Sequence, residues 1–269
     1  MEIRLSLPAA TGERRDHSLS VTMRTPGDDF ELAVGFLYTE GVIESSDDVE
    51  EVTYCLGTER ADQAYNVVSV RLREGLHFDP ELLQRNFYTT SSCGVCGKSS
   101  LEAIETRRCP ILPQGHPVMT RETVHRLSDQ LHQDQSVFQA TGGLHAAGLF
   151  NAEGELISLR EDVGRHNAVD KVIGEKLLAD ELPLNDYLMM VSGRASFEIL
   201  QKAFVAGLPM VAAVGAPSSL AVELAREFGM TLLGFVRDGR YNIYAGGARI
   251  QNEIRANEPT EVSESVRTD

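Results

Sequence analysis

The sequence predicts an α/β fold with a β-rich N-terminal part, and three observations predict it. Between residues 187 and 236 short apolar runs bounded by Gly, Pro and Ser alternate with amphipathic stretches, as buried parallel strands joined by crossover helices do. Before residue 75 most apolar runs alternate with polar residues, as half-buried strands do, with one helical stretch among them. The 269 residues suffice to bury one large core or two modest ones. Residues 1–85 are therefore expected to form a β-rich subdomain, 86–250 an α/β core, and 251–269 a loosely ordered polar tail.

Taken in order, residues 3–7 and 19–23 alternate around a polar turn and read as a hairpin. Pro26, Gly27, Asp28 and Asp29 supply turn and cap residues for a helix carrying Phe30, Leu32, Ala33, Phe36 and Leu37. Residues 49–55 and 65–73 read as two further strands and 80–85 as a short helix. Cys55, on a strand, is expected to be a small apolar filler. Pro110, Pro113 and Pro117 break the pattern after Cys109, and a covering helix follows over 120–133, with Thr120 as N-cap and Val124, Leu127 and Leu131 on one face. Residues 144–150 and 155–159 read as strands around a turn at 151–154. The next helix opens on a charged cluster and places Ala168, Val169, Val172, Ile173 and Leu177 on one stripe, with Arg165, His166 and Asp170 mostly off it. Strands at 187–191, 210–214 and 231–236 then alternate with helices at 197–206 and 220–228, and 241–245 gives a last strand.

A formal net charge of -15 argues against a general nucleic-acid binder, which must neutralise phosphates with Lys and Arg. No apolar run approaches the ~20 residues that cross a bilayer, and the N-terminal residues lack the layout of a signal peptide, so a cytoplasmic protein with reduced cysteines is expected. An anionic ligand must then be held by a local cationic cluster. In a sheet of this kind ligands bind outside the carboxyl ends of the strands. The three loops leaving those strands carry Ser192 and Arg194, Ser218, and Arg237 and Arg240, so a phosphate-bearing ligand such as a nucleotide is expected there. Neither the P-loop nor the dinucleotide fingerprint is present.

The most distinctive stretch is CGVCG at 93–97, which holds two of the four cysteines. Gly94 and Gly97 permit turn conformations that expose both sulfurs, and Lys98 with the start of a following helix favours the thiolate, the form that attacks sulfur or binds metal. A C-x-x-C alone serves redox pairs, half zinc sites and persulfide carriers alike.

Taken together, CGVCG at 93–97, TGGLHA at 141–146, EDVGRHNAVDK at 161–171, SGRASFE at 192–198, APSSLA at 216–221 and GFVRDGR at 234–240 resemble, in order, the motifs of the formate dehydrogenase accessory sulfurtransferase family, FdhD. The resemblance runs from about residue 20 to 250. It implies a three-layer α/β/α, cytidine-deaminase-like mixed sheet and a homodimer. It also implies transfer of sulfur from a cysteine desulfurase to the molybdenum (or tungsten) bis(molybdopterin guanine dinucleotide) cofactor of formate dehydrogenase, which GDP or a GMP-like nucleotide would mimic. By the same resemblance Cys93 carries a persulfide with Cys96 as companion, and the segment Phe235, Val236, Arg237, Asp238, Gly239, Arg240 binds the cofactor. Cys96 either resolves the emptied site as a disulfide or shares the carrier role, and the His166 and Asp170 side chains are candidates for an i, i+4 pair.

Two other readings compete. A cofactor-binding chaperone would use the crevice without sulfur transfer. A zinc-dependent deaminase-like hydrolase would use the C-x-x-C with a histidine, but the H-x-E and P-C-x-x-C signature of such enzymes is absent, and no metal site is assigned.

Overall fold

The computed structural model describes residues 1–8, 14–55, 65–74, 76 and 110–252. The expected helix at 80–85, the helix expected to follow Lys98, Cys109, and nearly all of the tail lie outside the described residues.

Strands β1 (Glu2–Pro8) and β2 (Arg14–Val21) pair antiparallel, and the order β2-β1-β4-β3 is completed by β3 (Val49–Tyr54) and β4 (Val67–Leu72), with β1 and β4 parallel. Strand β4 alternates buried and half-buried residues at the period a one-faced sheet requires. Ile3, Leu5, Val68, Val70 and Leu72 pack on Ala33, Val34 and Leu37 of helix α1 (Asp29–Thr39).

The second sheet has six strands. In chain order they are β6 (His145–Phe150), β7 (Leu156–Asp162), β8 (Leu188–Val191), β9 (Met210–Ala213), β10 (Thr231–Arg237) and β11 (Arg240–Ala245), arranged β11-β10-β9-β8-β6-β7. Strands β8, β9 and β10 are parallel, as the alternating pattern predicts, and the outer neighbours are antiparallel. Helix α2 (Arg121–Asp134), capped by the Thr120 hydroxyl accepting from the Thr123 amide, lays Val124, Leu127 and Leu131 on one face. After α3 (Ser136–Thr141), helices α4 (Arg165–Leu178), α5 (Phe197–Val205) and α6 (Ser219–Glu227) cover the other face. The result is the three-layer arrangement expected.

Two short strands have no counterpart in the sequence reading. Strand β5 (Met119–Thr120) pairs parallel with β12 (Ile250–Gln251). Two residues carry no readable periodicity. What holds the pair is Arg249, nearly buried, whose guanidinium donates to the carbonyls of Pro113 (2.6 Å), His116 (2.9 Å) and Gly229 (2.9 Å), fastening the proline-rich connector to the sheet.

Helices α1 and α4 join the two sheets, and they touch through glycine. A Cβ on Gly35 would lie 1.9 Å from the Asp170 carbonyl oxygen, and one on Gly174 would lie 1.9 Å from the Glu31 carbonyl oxygen. Behind the crossing, Asp170, expected mostly off the buried stripe of α4, is buried, as is Lys171, because α1 and the segment before it cover that side. Lys202 reaches Asp170 at 3.0 Å, Glu40 at 3.2 Å and the Thr39 hydroxyl at 2.8 Å, and that hydroxyl donates to Asp170. Burial pushes the Asp170 carboxyl up to about 6, while burial of Lys202 is outweighed by Asp170 and Glu40, which raise its pKa and keep it protonated. Lys171 pairs with Asp162 at 3.0 Å and donates to the Thr25 carbonyl. Each charge is compensated, as a buried charge must be.

Gly35→Ala and Gly174→Ala are each predicted to lower unfolding stability by about 3 kcal/mol or more, the upper end of the overpacking range, because the obstructing atoms are backbone. Gly143→Ala, whose added Cβ meets nothing within 4 Å, is the control. Urea titrations in which the two helical variants unfold at the wild-type midpoint would contradict the crossing.

Candidate functional site

The loops leaving β8, β9 and β10 are stitched to one another by backbone hydrogen bonds. The Gly215 amide donates to the Gly193 carbonyl (2.9 Å), the Ser218 amide to the Ala195 carbonyl (2.9 Å), and the Phe235 amide to the Gly215 carbonyl (3.1 Å). Strand β6 joins the same edge, because it runs antiparallel to β8 and brings its first residue there. The Ala146 amide donates to the Ser192 hydroxyl at 2.9 Å, and the Ser192 amide to the Ala146 carbonyl at 3.0 Å.

Strand β10 reaches this edge through a bulge and a tight turn. Pairing with β11 is irregular between Gly234 and Arg237, and Phe235 there takes φ 54°, a left-handed conformation uncommon for a residue with a side chain. Asp238 (φ 52°) and Gly239 (φ 64°) then form the two-residue hairpin turn between the paired Arg237 and Arg240. The bulge turns Phe235 outward and the turn holds both arginines at the rim, exposed. Val236 points the other way and is fully buried in the core below.

Between this hairpin and the end of α2 lies a cavity of about 590 Å³, within the range of small-molecule sites. One wall is Arg237 and Asp238. The floor is Leu144, His145, Ser192 and Val214. The opposite wall comes from Ser128, Asp129, His132 and Gln135 at the end of α2, with Phe138 of α3. A smaller cavity of about 250 Å³ shares Arg237 and is lined by Phe235, Arg240, Tyr241 and Asn242. Of the residues the sequence proposes as binders, Ser192, Arg237 and Asp238 thus line the larger cavity, and Phe235, Arg237 and Arg240 the smaller. Gly239 sits at the turn tip. Arg194 is exposed on the first loop beside Gly215, and Ser218 is the N-cap of α6, accepting from the Ala221 amide at 3.2 Å. Neither lines these two cavities. The α2 and α3 wall is what the sequence reading missed. The motif at 141–146 was legible, but nothing in an amphipathic helix announces that its last polar turn faces a cavity.

Cys93 and Cys96 lie outside the described residues. Among the described residues, no group of three or more His, Cys, Asp or Glu side chains is placed to hold a metal ion.

Behind the cavity floor, Arg165 at the start of α4 stands near Gly193, as does His145. His145 is held below its ordinary pKa by burial and by the Arg165 cation. His166 is pushed down to about 4, by burial first and then by Arg165 and Lys202, although Glu198 opposes the shift. His166 Nε2 lies 3.3 Å from the Ser196 hydroxyl and 4.0 Å from Glu198, while Asp170 is engaged by Lys202 and Thr39. The two side chains thus have separate partners and form no i, i+4 pair. Both histidines are neutral at pH 7, so Arg237 and Arg240 at the rim and Arg165 behind supply the positive charge.

A sequence model of the FdhD/NarQ family matches residues 13–251. The chain is 53% identical over 234 residues to a protein of Streptomyces avermitilis named Sulfur carrier protein FdhD, covering 86% of this chain and 83% of that one. It is 54% identical over 236 residues to a protein of the same name from Mycolicibacterium paratuberculosis, covering 87% and 86%. Its fold matches a crystal structure from Desulfotalea psychrophila, described as that of a formate dehydrogenase accessory protein, with a TM-score of 0.63 at 23% identity over 93% of this chain and 99% of that one.

Because a folded-state histidine pKa below the ordinary 6.5 means that the unfolded chain binds more protons, His166 is predicted to make stability fall as pH drops from 6.5 towards about 4. In a histidine-resolved NMR titration, Arg165→Gln is predicted to raise the midpoints of both His145 and His166, only in part because burial remains. Midpoints that stay at the wild-type values would show that Arg165 is not their common cation.

Proposed function

The chain belongs to the FdhD/NarQ family, and from that premise we propose that it is a sulfurtransferase carrying sulfur on Cys93 to the molybdenum or tungsten bis(molybdopterin guanine dinucleotide) cofactor that serves formate dehydrogenase. The observation that carries this reading is the identity above one half, over most of both chains, to proteins named as sulfur carriers. The crevice supports it. A ligand bearing two diphosphates and two guanines needs an anion-gripping rim and a roomy cleft, and Arg237, which makes no ion pair among the described residues, stands between two adjoining cavities. Arg240 lies 3.9 Å from Asp238, but both are so exposed that the pair is weak and free to exchange for phosphate.

The Cys93 thiolate attacks the outer sulfur of the persulfide on a cysteine desulfurase; a new S–S bond forms, the donor's S–S bond breaks, and the donor cysteine leaves as thiolate. Once the cofactor is seated, the Cys96 thiolate attacks the Cys93 Sγ and displaces the outer sulfur as sulfide, which binds the metal. A Cys93–Cys96 disulfide remains, and a cellular dithiol must reduce it before the next cycle. On this reading the cofactor is cargo, and the protein contributes thiols, position and charge. The smaller cavity beside Arg240 takes part of the second nucleotide.

Incubation with a cysteine desulfurase and cysteine, followed by mass spectrometry of the digest, is predicted to place one additional sulfur on Cys93. Cys96→Ala should load as fully as the parent protein and fail to release. A Cys93→Ala variant that loads like the parent would end the persulfide assignment. Arg237→Ala is predicted to weaken GDP binding about tenfold, the loss of one charge-assisted contact of ~1.5 kcal/mol, while leaving sulfur loading intact.

A further inference from the structure

Helix α3 differs from the other helices in how little holds it. It has six residues and none is buried, whereas every other α-helix among the described residues buries at least three. A helix this short is not stable by itself in water, so its anchors decide where it sits. Gln135 supplies no side-chain cap at its start. Instead the Glu161 carboxylate, reaching across from β7, accepts from the Val137 amide at 2.9 Å and the Phe138 amide at 2.8 Å, one oxygen for each. A carboxylate suits the place, because two N–H groups need two acceptors and a helix start favours negative charge. Two further ties run to the end of α2. The Gln139 side-chain amide donates to the His132 and Gln133 carbonyls, at 3.3 and 3.0 Å, and the Phe138 ring stands edge to face with His132, 5.8 Å between centroids. Beyond the helix the chain leaves through Gly142, in the left-handed conformation (φ 70°), and Gly143, where an added Cβ would meet nothing within 4 Å.

The two sides of the Glu161 contact differ in what lies behind them. On the β7 side, Glu161 is paired with Ala146 of β6, next to His145 on the cavity floor, and its backbone carbonyl accepts from the Lys171 ammonium at 3.3 Å, which the buried Asp162 holds as well. That side belongs to the sheet and its buried junction. On the other side is a helix with no core of its own, from which Phe138 and the exit residues Gly142 and Gly143 line the larger cavity. We propose that α3 is a movable cover of that cavity and that Glu161 is the positioning residue that latches it. Unlatched, α3 turns about Gly142 and Gly143 and widens the entrance. Latched, it holds Phe138 at the cavity wall. Moving covers are drawn from the least stable parts of a fold, and they set how fast a ligand enters and leaves more than how tightly it is held. The cover rests on the reading of the crevice as a ligand site, whereas the latching of α3 does not.

Amide hydrogen exchange of the full-length protein, read on peptides covering residues 135–143, tests the latch in the parent, Glu161→Ala, Glu161→Gln and Gln139→Ala. Glu161→Ala is expected to speed exchange there about tenfold or more, through the loss of two charge-assisted contacts, while peptides from β8 and β9 keep the parent's rates. Glu161→Gln should fall between, since its side chain keeps one acceptor and turns a donor towards the second amide. Gln139→Ala loosens the helix from the α2 side and carries the test if both Glu161 variants fail to fold. Stopped-flow binding of a fluorescent methylanthraniloyl GDP tests the cover. Association and dissociation should both quicken about fivefold in Glu161→Ala, with the dissociation constant within about twofold of the parent's. A segment that exchanges at the parent's rate in the variants, or faster exchange spread over the whole chain, would overturn the latch. Local loosening with the GDP rates unchanged would overturn the cover. A parent that binds no GDP would end the reading of the crevice and the cover with it, while exchange would still decide the latch.

Discussion

The close crossing of α1 on α4 is the constraint on which the rest of the arrangement depends. Backbone meets backbone at Gly35 and Gly174, so α4 is seated against the N-terminal sheet at a separation that no side chain would allow. With α4 fixed, its first turn is fixed too, and that turn carries Arg165 and His166 behind the cavity floor. The segment before α1 is drawn into the same junction. The Asp162 carboxylate accepts from the Thr25 amide at 3.0 Å and from the Asn167 side chain at 2.9 Å, and the Thr25 hydroxyl accepts from the Val163 amide at 3.0 Å. Buried ion pairs contribute little net stability, but each is costly to break, so they enforce one way of docking the two sheets.

From that seat the site is assembled mostly from backbone. The three loops at the carboxyl edge bond to one another in sequence, Gly193 to Gly215 to Phe235, and the geometry leaves no space for side chains: a Cβ on Gly215 would stand 3.0 Å from the Gly193 carbonyl oxygen. A rim organised in this way is rigid. The strained backbone at Phe235 belongs to the same device, since the bulge there converts a regular strand end into an outward-facing aromatic followed by two arginines. For the sulfur transfer proposed above such a rim has a use, because misplacement of reacting groups by a single ångström is costly.

Much of this was legible in the sequence, for identifiable reasons. The parallel strands β8, β9 and β10 announced themselves through short fully apolar runs, and the rule that ligands sit at their carboxyl ends led directly to Ser192, Arg237 and the hairpin turn. Helix α4 was placed correctly, but Asp170 was placed mostly off its buried stripe, because helical periodicity counts one buried stripe and cannot foresee that a second helix will cover the other. The α2 wall stayed invisible for a related reason. Ser128 and Gln135 look like ordinary polar residues of a covering helix, and only their burial, with the Ser128 hydroxyl and the Gln135 amide nitrogen unpaired among the described residues, distinguishes them. The β5 and β12 pair was missed because two residues carry no periodicity and the arginine that secures them acts across more than 130 positions.

A structure of the protein with GDP, the soluble fragment of its proposed cargo, tests the central claim most directly. The account predicts the nucleotide in the crevice, with its phosphates against Arg237. A nucleotide bound elsewhere on the molecule, with the cavity between α2 and the β10–β11 turn left empty, would contradict it.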